Sequence, residues 1–330
     1  MAVAILVVSG PVLVDAYGQV GRSLALSPGW LIAIAFAEAS QLVGCWYLLR
    51  ILLRTTRWFD VAAPQLAGDA ASNLVPGASL AGAGLQLTML VRAGFPATRV
   101  TTSLGAVTIL SAVPVFIVLP LVAVVATVAG TPLEPRLVGA MVLGAVVLAV
   151  LLVTVVAMAR LDRPWLLLAS AITAVRRLLG QPDRADLGRR LLGERDQLGE
   201  VMRQRAVTLL VVALGRTLAD VLALYLAIRA VGVAISPATT LAVFIVGDVA
   251  GRIPLTPAGL GFVEAGLAGA LRVAGLPSGA ALVALVTYRL AATWLPSAAG
   301  VVAYGLFERR HSERAGIGQP TEGVLPAGPG

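Results

Sequence analysis

Along the chain, long apolar runs alternate with short polar breaks, and the run lengths predict membrane-spanning helices. A first run covers about Ala2–Tyr17, and a second roughly Gly29–Leu49, closed by Arg50, Arg54 and Arg57. Val100–Ala129 follows, with Pro114 and Pro120 as expected kinks. Beyond the turn "GTPLEPR" come Leu137–Ala159, Ala206–Val231 and a last run at about Ala280–Phe307. A spanning helix needs about 20 such residues, so all but the short first run are long enough to cross.

Two stretches depart from this pattern. Val61–Phe95 is broken by "NLVPGASLAGAG", and 238–275 contains "IPLTPAGLG". Irregular backbone at membrane depth leaves amide and carbonyl groups unpaired, so it is tolerated only where protein buries it or where it lines a wet cavity. Pro254, Pro257, Gly259 and Gly261 prevent a regular helix. A half-helix can begin near Leu260 and run to about Ala274, with Glu264 near its positive end. The free amides there could equally serve a bound phosphate.

Arginine placement sets the orientation. Arg50, Arg54 and Arg57, then Arg92 and Arg99, the central polar segment, and finally Arg309, Arg310 and Arg314 all mark the cytoplasmic side. A single crossing by Val61–Phe95 would put its two basic flanks on opposite sides. It fits better as a re-entrant hairpin from the cytoplasm, and 238–275 as one from the outside. An offset of 181 residues (Gly94 to Gly275) lays Pro76 on Pro257, Leu90 on Leu271, Ala93 on Ala274 and Pro96 on Pro277. Similar units of opposite orientation predict an inverted repeat, with Pro76 and Gly77 at the first break.

The polar segment, 160–205, carries ten arginines and six acids. Apolar residues recur on one helical face at Trp165, Leu168, Ile172, Val175 and Leu179, and again at Leu187, Leu191, Leu198 and Val201. It is expected to be a cytoplasmic helical hairpin lying on the bilayer or on the protein, or else a docking surface. The organisation is a first membrane half (1–159), this segment, a second half (206–307), and a polar tail, 308–330, expected to be disordered.

Composition agrees. Hydrophobic residues make up 58% and charged residues 13%, against roughly 45–50% and 25% in soluble domains. Mean hydropathy is +0.91. All 25 basic residues are arginine, giving net +8; the alternatives are a coding bias and phosphate recognition by guanidinium groups, which the count alone does not separate. With one cysteine, Cys45, and one histidine, His311, no disulfide within the chain and no His/Cys metal cluster is possible. The start lacks a basic n-region, so a cleaved signal peptide is not expected.

Ionisable residues inside the membrane are functional candidates by default. Arg216 with Asp220, and Asp248 with Arg252, are spaced i, i+4 and can neutralise each other on one helix face. Glu264 and Arg289, the latter beside Tyr288, have no such local partner. They can pair across helices, or Arg289 can hold a lipid phosphate. Arg272 is expected to snorkel to the outer interface.

At these residues a family resemblance emerges. "PLTPAGLGFVEAGLAGAL" followed by "TYRLAATWLPSAAGVVAYGL" resembles the lysylphosphatidylglycerol synthase transmembrane-region family. The motif positions are Pro254, Thr256, Pro257, Ala258, Gly259, Leu260, Gly261 and Glu264, then Tyr288, Arg289, Leu290, Trp294, Pro296 and Gly300. Ala258 stands where members carry the first glycine of a pair, and "NLVPGASLAGAG" lacks the Gly-Glu that many have after the earlier proline. The resemblance implies a lipid-handling membrane protein, similar to the flippase half of full-length synthases. Only a short tail follows Glu308, so lysyl transfer by this chain is not expected. Stand-alone relatives are linked to envelope glycolipid and polyprenyl-lipid pathways.

The combined expectation is an all-α polytopic protein of the bacterial inner membrane. It has about six spans, two facing re-entrant hairpins and both termini cytoplasmic. It binds or flips an anionic phospholipid or polyprenyl-phosphate lipid. Its binding or gating residues are Pro257, Gly259, Gly261, Glu264, Arg289, Tyr288, Asp248, Arg252, Pro76 and Gly77. No Walker loop is present, no cofactor, metal or nucleic acid is expected, and a coupling proton could sit on Asp248 or Glu264. The rival readings are an accessory subunit of an envelope-synthesis complex and a membrane glycosyltransferase. The latter usually needs an acid in a sizeable outer loop, and the outer loops here are short.

Overall fold

A computed structural model of the chain describes residues 26–74, 79–128, 187–252 and 262–317, with scattered positions from 130 to 173. The first apolar run, most of Leu137–Ala159 and much of the first amphipathic part of the polar segment lie outside the described residues. Among the described residues every regular element is helical.

Helix α1, Pro28–Leu53, starts on a proline whose fixed φ suits the first helical turn. It ends at Arg54, a left-handed residue (φ 55°) whose N–H returns to Arg50 O and Ile51 O. Helices α2 (Phe59–Leu74) and α3 (Ser79–Arg92) follow, then α4 (Ala97–Val128), which runs through Pro114 and Pro120 as one helix. After the polar segment's helix α5 (Leu187–Gln204) come α6 (Ala206–Ala230), α7 (Pro237–Arg252) and α8 (Phe262–Val273). The last path is α9 (Ser278–Arg289), a π-helical turn at Leu290–Trp294, and α10 (Leu295–Ile317). By length and composition α1, α6 and the joined helix Ser278–Ser312 can each cross a membrane.

Helices α2 and α3 form a tight antiparallel hairpin because glycines let their backbones meet. A Cβ on Gly82 would strike Ser72 Oγ and Gly68 O, and one on Gly68 would lie 3.0 Å from Gln86 Cβ. At the other end of the hairpin, Arg57 Nη1 donates to Ala93 O at 3.2 Å and the Arg57 guanidinium covers the Phe95 ring. Sixteen residues in α2 rise about 24 Å, short of the ~30 Å hydrocarbon core. The hairpin enters and leaves at one end of the bundle. Helices α7 and α8 pair in the same sense, with Gly247 facing Leu267.

The two hairpins end alike. Gly94 (φ 96°) and Gly275 (φ 94°) are both left-handed, the conformation glycine adopts at a helix C-terminus without steric cost. Phe95 N donates to Leu90 O at 3.2 Å, and Leu276 N to Leu271 O at 3.1 Å. Pro96 O and Pro277 O then accept from Val100 N and Ala281 N, opening α4 and α9. The order long helix, two short helices, long helix therefore occurs twice, at the offset of 181 seen between Gly94 and Gly275.

Helices α1 and α6 pack antiparallel, with Gly44 against Arg216 and Glu38 against Asp220. A Cβ on Gly44 would lie 3.0 Å from Arg216 Cβ. Helix α10 lies on α2, and a Cβ on Gly300 would run into Leu66 O and Ala70 Cβ. Helix α5 buries Leu191 and rests Leu198 and Met202 on the bundle. Arg99 pairs with Glu194 at 3.5 Å and Arg54 Nη1 donates to Gln197 Oε1 at 2.9 Å. This helix thus packs on the protein.

One boundary needs correction. The tail expected to be disordered from residue 308 instead continues α10 to Ile317. Side-chain contacts hold its start: Glu308 pairs with Arg92 at 2.8 Å, Arg310 covers Phe59, and His311 stacks on Phe307. These contacts and those of α5 gather Arg54, Arg57, Arg92, Arg99 and Arg310 at one end of the bundle.

Candidate functional site

The short helices and the α9–α10 path bring ionisable side chains together where the surrounding residues are apolar. Glu264 lies in the first turn of α8, and Arg289 is the last residue of α9 before the π-helical turn. Arg289 donates twice to one oxygen, Glu264 Oε1, from Nε at 2.9 Å and Nη2 at 2.6 Å. The two side chains are only 15% and 7% exposed. The cross-helix pair therefore exists. Arg289 Nη1 has no acceptor among the described residues, so the guanidinium keeps donor capacity.

The π-helical turn matters for this placement. Pro296 has no N–H to donate one turn back, and the wider turn at Leu290–Trp294 absorbs the irregularity. Such insertions recur at functional sites because they rotate the residues on either side. Here they flank Tyr288 and Arg289, which point to different partners.

Tyr288 donates its hydroxyl to Asp220 Oδ1 at 2.6 Å. Asp220 is thereby taken from the i, i+4 partner expected in the sequence. Arg216 turns instead to Ser111 on α4, donating from Nη1. The Arg216 Nε is buried without a partner. On α7, Asp248 acts electrostatically on Asp220. The side chain of Arg252, and all of Pro76, Gly77, Pro257, Gly259 and Gly261, lie outside the described residues. Arg272 is exposed.

Residues not singled out in the sequence complete the centre. Glu38 on α1 is 2% exposed and lies beside Asp220, which acts on it electrostatically. No amide, hydroxyl or guanidinium donor reaches Glu38 Oε1. Two sets of polar contacts also tie α2 to α3 and to α10. Gln86 Nε2 donates to Gln65 Oε1 at 2.7 Å, and Gln65 Nε2 to both oxygens of Asp69 at 3.0 and 3.1 Å. Asn73 Nδ2 donates to Ser297 Oγ at 2.9 Å, tying α2 to α10. A lone acid inside an apolar run was the available signal for Glu38 and Asp69.

The arrangement is an interior polar centre built from both halves of the chain, with guanidinium groups held by carboxylates and hydroxyls. It can bind an oriented anion or move a proton. Among curated proteins none matches the chain. Residues 1–300 match the family described as the lysylphosphatidylglycerol synthase TM region. That match covers the helices that build the centre, including the Glu264–Arg289 pair, and it agrees with the all-α, multi-pass membrane architecture; the chain belongs to the lysylphosphatidylglycerol synthase transmembrane-region family.

Proposed function

We propose that the protein binds a lipid with a phosphate headgroup, a phospholipid or a polyprenyl phosphate, and carries that headgroup between leaflets. The observation behind this reading is Arg289. Its charge sits in the protein interior, held through a single oxygen of Glu264, with a further N–H group available. A headgroup phosphate offers the same acceptor chemistry as that carboxylate, with more oxygens. It can displace Glu264 without leaving the guanidinium uncompensated at any stage. The acyl chains would stay in the bilayer while the headgroup crosses through the polar centre.

Two features support alternating access in an inverted repeat. The helix order and the glycine caps recur at one offset, and the first long helices of the two units pack antiparallel. The side carrying Arg54, Arg57, Arg92 and Arg99 is taken as cytoplasmic by the positive-inside rule. An accessory role through α5 is less well supported, because its apolar face already covers the bundle. The direct test is reconstitution into liposomes with fluorescent phosphatidylglycerol or polyprenyl phosphate, scored for leaflet exchange. Exchange above protein-free liposomes that Arg289→Gln abolishes is expected; wild-type protein with no exchange of either probe ends the transport reading.

A further inference from the structure

Away from this centre, at the arginine-rich end, a cavity of about 350 Å³ opens between the end of α1 and the junction of α5 with α6. Arg50, Arg54 and Arg205 line it, with Thr55, Thr56 and Tyr47. No acidic side chain is among its lining residues. Glu200, an acid in the last turns of α5, is held by Arg203 and Gln204. Three guanidinium groups therefore face one cavity without a counter-charge in its wall.

Their fixing is specific. Arg50 stacks over Trp58, 3.9 Å from the ring centroid, and donates from Nη2 to Thr56 O at 3.3 Å. Its Nε is buried and donates to nothing, an unusual state for a charged group with strong donors. Arg54 is set by its left-handed cap and by Gln197. Arg205 is exposed and, among the described residues, makes no side-chain hydrogen bond or ion pair. Donor capacity thus remains unused on two of the three arginines.

We propose that this cavity binds the phosphate headgroup of a membrane lipid at the bilayer surface. The surroundings favour a lipid over free phosphate. Tyr47 and Trp58 stand 36% and 43% exposed beside the cavity, 6.2 Å apart, in the manner of aromatic residues at a membrane interface. Along α1 from Tyr47, the exposed Val43, Phe36 and Ile32 continue one apolar face. That face gives acyl chains a track leading up to the arginines. Basic pockets between helices on the cytoplasmic side take anionic headgroups in this way. The site does not depend on transport, since an accessory protein with this cavity would bind the same lipid.

The test uses the full chain in nanodiscs of equal phosphatidylglycerol and phosphatidylcholine, followed by native mass spectrometry of the lipid it retains. Wild-type protein is expected to prefer phosphatidylglycerol by roughly tenfold, the effect of one or two charge-assisted hydrogen bonds. Arg205→Gln and Arg50→Gln should each erode the preference, while Gly305→Ala, in open space on α10, leaves it in place. Arg205 has no partner to lose among the described residues, so Arg205→Gln should melt like wild type and fail only in lipid retention. Equal retention of the two lipids by wild type, or an unchanged preference in both cavity variants, overturns the proposal. So does binding of inorganic phosphate as tight as that of phosphatidylglycerol, which would make this a soluble-phosphate site.

Discussion

Glu264→Gln is the most informative single change, because it removes one charge from a pair that is almost wholly buried. The carboxylate accepts both contacts from Arg289 on one oxygen, at 2.6 and 2.9 Å. A glutamine keeps the shape and a carbonyl acceptor but leaves the guanidinium charge without its counter-charge. Removing one member of a buried pair costs about 3–5 kcal/mol, and a lone arginine at the bilayer centre at least ~2.5–3.5 kcal/mol. A loss of that order is expected in thermal unfolding of protein in nanodiscs. Arg289→Gln should cost a similar amount. The double neutral variant, with no lone charge, should recover much of both losses. Its activity then separates two roles. A stable double variant that does not exchange lipid supports Arg289 as the headgroup ligand, whereas a stable and active one confines the pair to folding. If Glu264→Gln melts like wild type, the buried pair is not what neutralises Arg289, and the reasoning fails.

Gly300→Ala should destabilise by about 1–3 kcal/mol or more, because its Cβ meets the backbone of Leu66. Gly305→Ala, in open space on the same helix, should be tolerated, and equal melting temperatures for the two variants would contradict the α2–α10 packing. Tyr288→Phe leaves Asp220 without its hydroxyl donor, at a cost of about 1–3 kcal/mol readable in the same melts. An unshifted melt would mean that Asp220 is satisfied elsewhere. Finally, cysteines at Thr56 and Ala97, the flanks of the first hairpin, should react with an impermeant thiol reagent from the cytoplasmic side only. Those at Ala234 and Gly279 should react from the opposite side only, all in a Cys45→Ala background. Labelling of Thr56 and Ala97 positions from opposite faces would end the re-entrant reading.

Much of the architecture was legible in the chain because the bilayer imposes it. Apolar runs near 20 residues can only be helices there, since each must satisfy its own backbone. Arginine at both flanks of Val61–Phe95 predicted that the stretch doubles back, and Arg57 does reach Ala93. The repeated Ala-Gly-x-Pro at Ala93–Pro96 and Ala274–Pro277 marked two caps that the structure shows to be alike. Such features are local, written in a few neighbouring residues. Pairings across helices are not. Spacing alone favoured Arg216 with Asp220, yet Tyr288, 68 residues further on, takes Asp220, and Ser111 takes Arg216. Glu38 looked like one acid in an apolar run until Gly44 let α1 approach α6 closely enough to bring its carboxyl to Asp220. Helix period determines which residues share a face; only the packing of one helix on another decides which faces meet, and in an apolar interior that choice falls to glycines and to the few charges that must each find a partner.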